Sequence, residues 1–271
     1  MAKVVSFSSG KGGVGKTTLT ANVGYALSRR GNRVLLIDAD WTLGKLGLLF
    51  GARPECTIER VLSGERTLLS AIHPLSPRLG LIGSPSGFQG LEELTEAQRH
   101  QLFFEIDALG EDYDFVLLDH SSGINWGVLP FAAAAHLQLI VATPEPTSLT
   151  DAYAIMKVLW SRFRVRDFDL VLAQANDPKM GTQTGERFIA MAEKHLPISV
   201  HLREVIGWEP LISDSICRQR PFIETHPTSE FSKAVGRIAN LMEQKSGVVN
   251  HGLRFFGGQS EDKYASEGQK I

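Results

Sequence analysis

The chain has 271 residues, 43% of them hydrophobic and 21% charged, with a formal net charge of −2. That length and composition suit one α/β unit with a large core, and the near-neutral balance excludes nucleic-acid binding through overall charge, leaving only local patches. No apolar run approaches the roughly 18 residues of a membrane span, and no basic-then-apolar leader precedes the first apolar run, so a soluble cytoplasmic protein is expected. Cys56 and Cys217 lie far apart and form no metal-spaced pair, which suits a reducing compartment.

In chain order, residues 3–9 read as a strand buried on both faces, ended by glycines. Residues 16–31 follow at helical period and stop at Gly31 behind two arginines. A second buried strand spans 33–40 and carries acids at its end. Further strands are expected at 79–84 and 114–123, with an amphipathic helix over 94–110 between them. The strand at 137–146 is closed by prolines. A helix over 148–163 follows, where Ser148 and Asp151 resemble a capping box and Ala152, Ile155, Met156 and Leu159 mark the apolar stripe. Strands at 168–176 and 197–202 and helices over 209–219 and 228–244 complete a single domain, residues 1–244, before a polar tail, 245–271. Strands alternating with helices predict a mostly parallel sheet with helices on both faces.

In such a sheet, ligands sit beyond the carboxyl ends of the strands. There the run Gly10, Lys11, Gly12, Gly13, Val14, Gly15, Lys16, Thr17, Thr18 contains the pattern G-x-x-x-x-G-K-[ST] of a P-loop. Its glycines let backbone N–H groups wrap phosphates, and the helix behind offers its N-terminus to negative charge. Lys16 is expected to reach the outer phosphates of ATP and the Thr17 hydroxyl to ligate Mg2+. Asp119, after an apolar run, has the position of an acid holding Mg2+ through water. Asp38 and Asp40 would repel a nucleotide unless a metal or an attacking water uses them, so Asp38 is assigned to the metal's outer shell and Asp40 to positioning the water. Each of these aspartates could instead be an ordinary turn or cap residue.

The extra lysine in "KGGVGKTT" (11–18) resembles the deviant P-loop of MinD/ParA-type ATPases, over roughly residues 2 to 244. That resemblance implies a P-loop NTPase fold, an ATP-dependent homodimer, and a role for Lys11 in reaching the partner's ATP, as an arginine finger supplied in trans does. It also implies that Glu145 lies near the dimer-bound nucleotide and that Asn176 contacts adenine. The stretches 143–159, 51–72 and 218–223 are similar to the FlhG/FleN branch, which sets flagellar number and placement. Implied partners are a flagellar basal-body component or an FlhF-type GTPase, although no room for a GTPase-activating extension is seen before the first strand. The segment 246–258 resembles the end of a MinD membrane anchor, so a peripheral place at the inner membrane surface is an expectation.

The chain departs from the family's pattern at 40–47, where Thr42, Lys45 and Gly47 stand at unusual positions, and at His120, where a small residue is usual. A hydrogen-bonded structural role is expected for His120. The segment 204–214 departs from the usual adenine-pocket sequence. Arg162, Arg164 and Arg166 are read as a solvated helix end rather than a DNA-binding patch. Division-site selection and ParA-like DNA or cargo partitioning remain the alternative functions. The resemblance makes 40–47 the first switch and 119–123 the second, and an iron–sulfur reductase of this fold is excluded because neither cysteine lies near the second.

Overall fold

The computed structural model describes residues 2–40, 44–84, 95–124 and 129–245. The chain runs β1 (Lys3–Ser9), α1 (Lys16–Arg29), β2 (Val34–Ala39), α2 (Ile58–Leu62), β3 (His73–Ser76), β4 (Leu79–Ile82), α3 (Glu96–Ala108) and β5 (Phe115–Ser122). It continues with α4 (Leu129–Ala134), β6 (Leu137–Ala142), α5 (Pro146–Phe163), β7 (Asp167–Ala175), α6 (Pro178–His195), β8 (Ser199–Gly207), α7 (Ile212–Cys217), α8 (Phe222–Thr225) and α9 (Glu230–Gln244). Single 3-10 turns at Gly47–Phe50, Leu69–Ala71 and Leu109–Glu111 bridge some of these elements.

The strands form one sheet in the order β3-β4-β2-β5-β1-β6-β7-β8. Among the described residues only the β3–β4 pair is antiparallel. Strands buried on both faces explain the unbroken apolar runs: successive residues feed opposite layers. Val34 and Leu36 of β2, with Phe115 and Leu117 of β5, join the core beneath α1 and α9. Leu35, Ile37 and Ala39, with Val116 and Leu118, join the opposite core beneath α2 and α3. Beyond β6 that second layer continues under α5 and α6.

This alternation decides where the acids point. Asp38 has the parity of Leu36, and Asp119 that of Leu117, so both face the α1 layer, directly paired across β2 and β5. His120 pairs with Ala39 and faces the other layer.

Several local expectations are corrected. Helix α5 starts at Pro146, with Glu145 as N-cap and no side-chain cap bond. The Ser148 Oγ instead accepts the Thr143 N–H at 2.9 Å, tying the end of β6 to the helix rather than closing a capping box. The helix expected over 209–219 is confined to Ile212–Cys217, because Pro210 lies in the approach. The last strand is longer than expected and runs on to Gly207. Helix α3 does have a capping box, between Thr95 and Gln98.

Arg162, Arg164 and Arg166 are exposed between α5 and β7, at the opposite end of the sheet from the carboxyl ends of the parallel strands. No helix among the described residues is long and apolar enough to cross a membrane. The segment 246–258 and residues 41–43 of the first switch lie outside the described residues.

Candidate nucleotide site

Helix α1 begins at Lys16 behind Gly15, whose φ of 92° places it in the left-handed region, and no side chain caps it. Gly13, with φ 80°, is left-handed as well. An L side chain resists both conformations, so these two glycines let the loop turn back on itself. The first N–H groups of a 14-residue helix are thereby left for an anion.

A cleft of about 420 Å³ opens over this turn. Gly12, Gly13, Val14, Gly15, Lys16, Thr17 and Thr18 line it, and Asp40 and Lys45 stand at one side. Its far wall is more apolar and includes Ala173, Gln174, Ile206, Trp208, Pro210 and Ile216. A polar loop opposite an apolar wall can take a ligand with a charged tail and a flat ring.

Under the loop, Lys16 and Asp119 form an ion pair at 2.6 Å with side-chain exposures of 7% and 1%. Thr20 Oγ1 donates to the same carboxylate at 3.3 Å. Asp38 is 1% exposed and accepts the backbone N–H groups of Asp40 at 3.1 Å and Leu46 at 2.9 Å. Burial, and then the charge of Asp119, push the Asp38 carboxyl up to about 7 against those two hydrogen bonds. One buried cation therefore stands beside two buried carboxylates. That shortage of positive charge is what a divalent ion would relieve, so the donor set fits a metal site.

His120 lies on the far side of the sheet, 3% exposed. Burial, and after it the positive Lys16, push its imidazole down to about 3, so it is neutral. Among the described residues neither ring nitrogen has a hydrogen-bond partner. The expected hydrogen-bonded role is not seen among the described residues: Ala39 pairs beside it, and the buried Ser6 and Ser8 hydroxyls on the same face of β1 bond to each other at 3.2 Å.

The remaining sequence-derived residues fall outside the cleft lining. Gly10 is packed against α5: a Cβ there would stand 2.4 Å from the Asp151 Cβ. Lys11 and Glu145 form an ion pair at 2.7 Å on the surface, 42% and 61% exposed. The Lys11 ammonium holds the Glu145 carboxyl below its usual range, through the hydrogen bond first and the charge second. Asn176 is exposed and does not line the cleft. The residue that does so from the end of β7 is Gln174, at φ 58°, whose Nε2 donates to the Gly13 carbonyl at 2.7 Å. Sequence reasoning missed Gln174 and Trp208. The signal for the first was a polar residue one place before the end of β7, directly after the apolar run from Leu170 to Ala173. For the second it was the departure at 204–214 from the expected pattern.

A family model described as an AAA domain matches residues 2–162. Antiactivator FleN of Pseudomonas aeruginosa is 29% identical over 241 residues, covering 89% of this chain and 86% of that protein. The flagellum site-determining protein YlxH of Helicobacter pylori is 30% identical over 244 residues, covering 90% and 82%. Among solved structures, the septum site-determining protein MinD of Pyrococcus horikoshii complexed with Mg-ADP superposes with a TM-score of 0.72, covering 90% of this chain and 97% of that one. At 24% identity that likeness speaks for the fold. With the P-loop, the sheet order and these relatives together, the chain belongs to the MinD/ParA family of P-loop proteins, in company with FleN and YlxH, and is an ATPase.

Proposed function

We propose that the chain is an ATP-gated dimerising switch that controls flagellar number or placement. The observation that carries this reading is the position of Lys11. It belongs to the P-loop, yet it lies outside the cleft that the loop encloses, on the surface, paired among the described residues with the exposed Glu145. An exposed pair of this kind contributes little to stability and exchanges easily. A loop lysine directed away from its own site suits a site completed across a subunit interface. Similarity to FleN and YlxH along most of the chain supports the flagellar part of the proposal.

Within one subunit, Lys16 would leave Asp119 for the outer phosphates of ATP, and the N–H groups of Gly13 to Thr18 would cradle the phosphate chain. Thr17 would ligate magnesium directly, with Asp38 and Asp119 holding its water shell. When bound, that ion neutralises phosphate charge and fixes the outer phosphate's orientation. The base would rest against Trp208, Pro210 and Ile216, with Gln174 bracing the loop, rather than on Asn176. Asp40, half-buried in the lining, would position the attacking water.

Asp40 supplies the test. Asp40→Ala should bind ATP within about threefold of the parent and release phosphate about 100-fold more slowly, the lower end of what a positioned acid or base contributes. ATP binding is followed by equilibrium dialysis of labelled ATP and turnover by phosphate release. Parental turnover in this variant would remove Asp40 from the mechanism.

A further inference from the structure

A second groove, of about 370 Å³, lies on the outer flank of the sheet and is lined in part by Arg53, Glu55, Cys56, Arg60, Arg66 and His73. It lies towards the same end of the sheet as the nucleotide cleft, the carboxyl ends of the parallel strands, but on the β3 flank. His73 opens the antiparallel edge strand β3 opposite Leu81, near the carboxyl end of β4, and Thr57 bridges to Gly83 just beyond that end.

Its lining is mainly basic. Elsewhere Arg30, Arg33, Arg203, Arg218, Arg220 and Arg237 each pair with a carboxylate, while scattered exposed arginines such as Arg164 and Arg187 do not among the described residues; the groove differs in gathering three of them. Arg53, Arg60 and Arg66 pair with none among the described residues, although Glu55 lines the same groove. All three arginines are exposed. Three guanidinium forks against a single lining acid, Glu55, suit carboxylates or other oxyanions.

We propose that this groove docks an acidic peptide segment of a partner protein, with Arg53, Arg60 and Arg66 reading its carboxylates. A peptide fits better than a small metabolite, because small-ligand pockets enclose most of their ligand in apolar walls and this groove is open and polar. Recognition runs through side chains. Pro74 in β3 lacks the N–H that strand addition along this edge would use.

The groove's position also suggests what docking could influence. The segment from Lys45, which lines the nucleotide cleft, leads directly to Arg53 and Cys56. Its Leu46 N–H is bound to Asp38. This relation to the cleft rests on the function proposed above; the groove's anion chemistry does not.

The test uses the full chain and a short fluorescein-labelled peptide of glutamate and glycine, with binding read by anisotropy. Binding should saturate at one peptide per chain. Each of Arg53→Gln, Arg60→Gln and Arg66→Gln should weaken it about two- to fivefold. Reversing all three to glutamate should weaken it by roughly 30-fold or more while ATP binding stays parental. Reversing Arg162, Arg164 and Arg166 instead should leave peptide binding unchanged. The proposal is overturned if binding does not saturate, if the groove variants bind like the parent, or if the distant reversal weakens binding equally. It is also overturned if inorganic phosphate occupies the groove and the peptide does not, which would make it a small-oxyanion site. Loss of ATP binding in the parent with peptide binding intact would count against the nucleotide reading and leave the groove standing.

Discussion

Lys16→Ala should abolish useful nucleotide binding and also weaken the nucleotide-free fold. The ammonium sits 2.6 Å from Asp119, and both groups are almost completely buried. Removing it leaves Asp119 without a cation, directly across the strand pair from Asp38. Truncating one member of a buried pair costs about 3–5 kcal/mol, because the surviving charge stays desolvated. Here a second carboxylate adds to that cost. A variant that also carries Asp119→Asn should recover most of the lost stability, since the uncompensated charge is gone. It should not recover ATP affinity, which loses a charged phosphate contact worth roughly 10- to 150-fold. Urea denaturation measures the first effect and equilibrium dialysis of labelled ATP the second. Equal stability of parent and Lys16→Ala would mean that the Lys16–Asp119 pair contributes nothing to the fold.

Gly10→Ala should be the most damaging alanine substitution in the loop that leaves every charge in place. A methyl group there would lie 2.4 Å from the Asp151 Cβ, 2.5 Å from its carbonyl carbon and 2.6 Å from its carbonyl oxygen. Two of these are backbone atoms of α5, so no side-chain rotation relieves the contact. Forced overpacking of this kind costs about 1–3 kcal/mol or more, and the relief available is for the loop to lift off α5. Both stability and ATP affinity should therefore fall. Gly12→Ala is the control, because the nearest atom to its added methyl is Ser122 Oγ at 3.5 Å, an ordinary contact. Its urea midpoint should match the parent's, and a Gly10→Ala midpoint that also matched would show that the loop does not need its seat on α5.

The same glycine shows what could be read from the chain and what could not. The spacing of Gly10, Gly15, Lys16 and Thr17 located the P-loop, because phosphate binding leaves a local signature. It gave no sign that Gly10 is also required by a helix more than a hundred positions away. The central strands were legible because burial on both faces writes unbroken apolar runs. Helix α6, Pro178–His195, was not, since its buried face consists of Gly181, Gly185, Phe188 and Ala192. Two glycines on a helix read as turns. They are there because the helix lies close on β7 and β8: a Cβ on Gly181 would be 2.6 Å from Val205 Cγ1, and one on Gly185 2.9 Å from Leu202 Cδ2.

The site divided along the same line. Asp38 and Asp119 could be placed from strand ends alone, but their direct pairing needed the register of β2 against β5. Gln174 needed the left-handed turn at the end of β7, which no local pattern of "AQAND" reveals. The apolar wall around Trp208 is assembled from β7, β8 and α7, so only the tertiary fold brings it to the P-loop.

Solution mass by light scattering, first with ADP and then with ATP and magnesium, would decide between a switch and a monomeric ATPase. The parent should run near its chain mass of 29.7 kDa with ADP and about double with ATP. Lys11→Ala should bind ATP and stay at the single-chain mass. A parent that remains monomeric with ATP, or a Lys11→Ala variant that doubles like the parent, would contradict a site completed by the partner's Lys11.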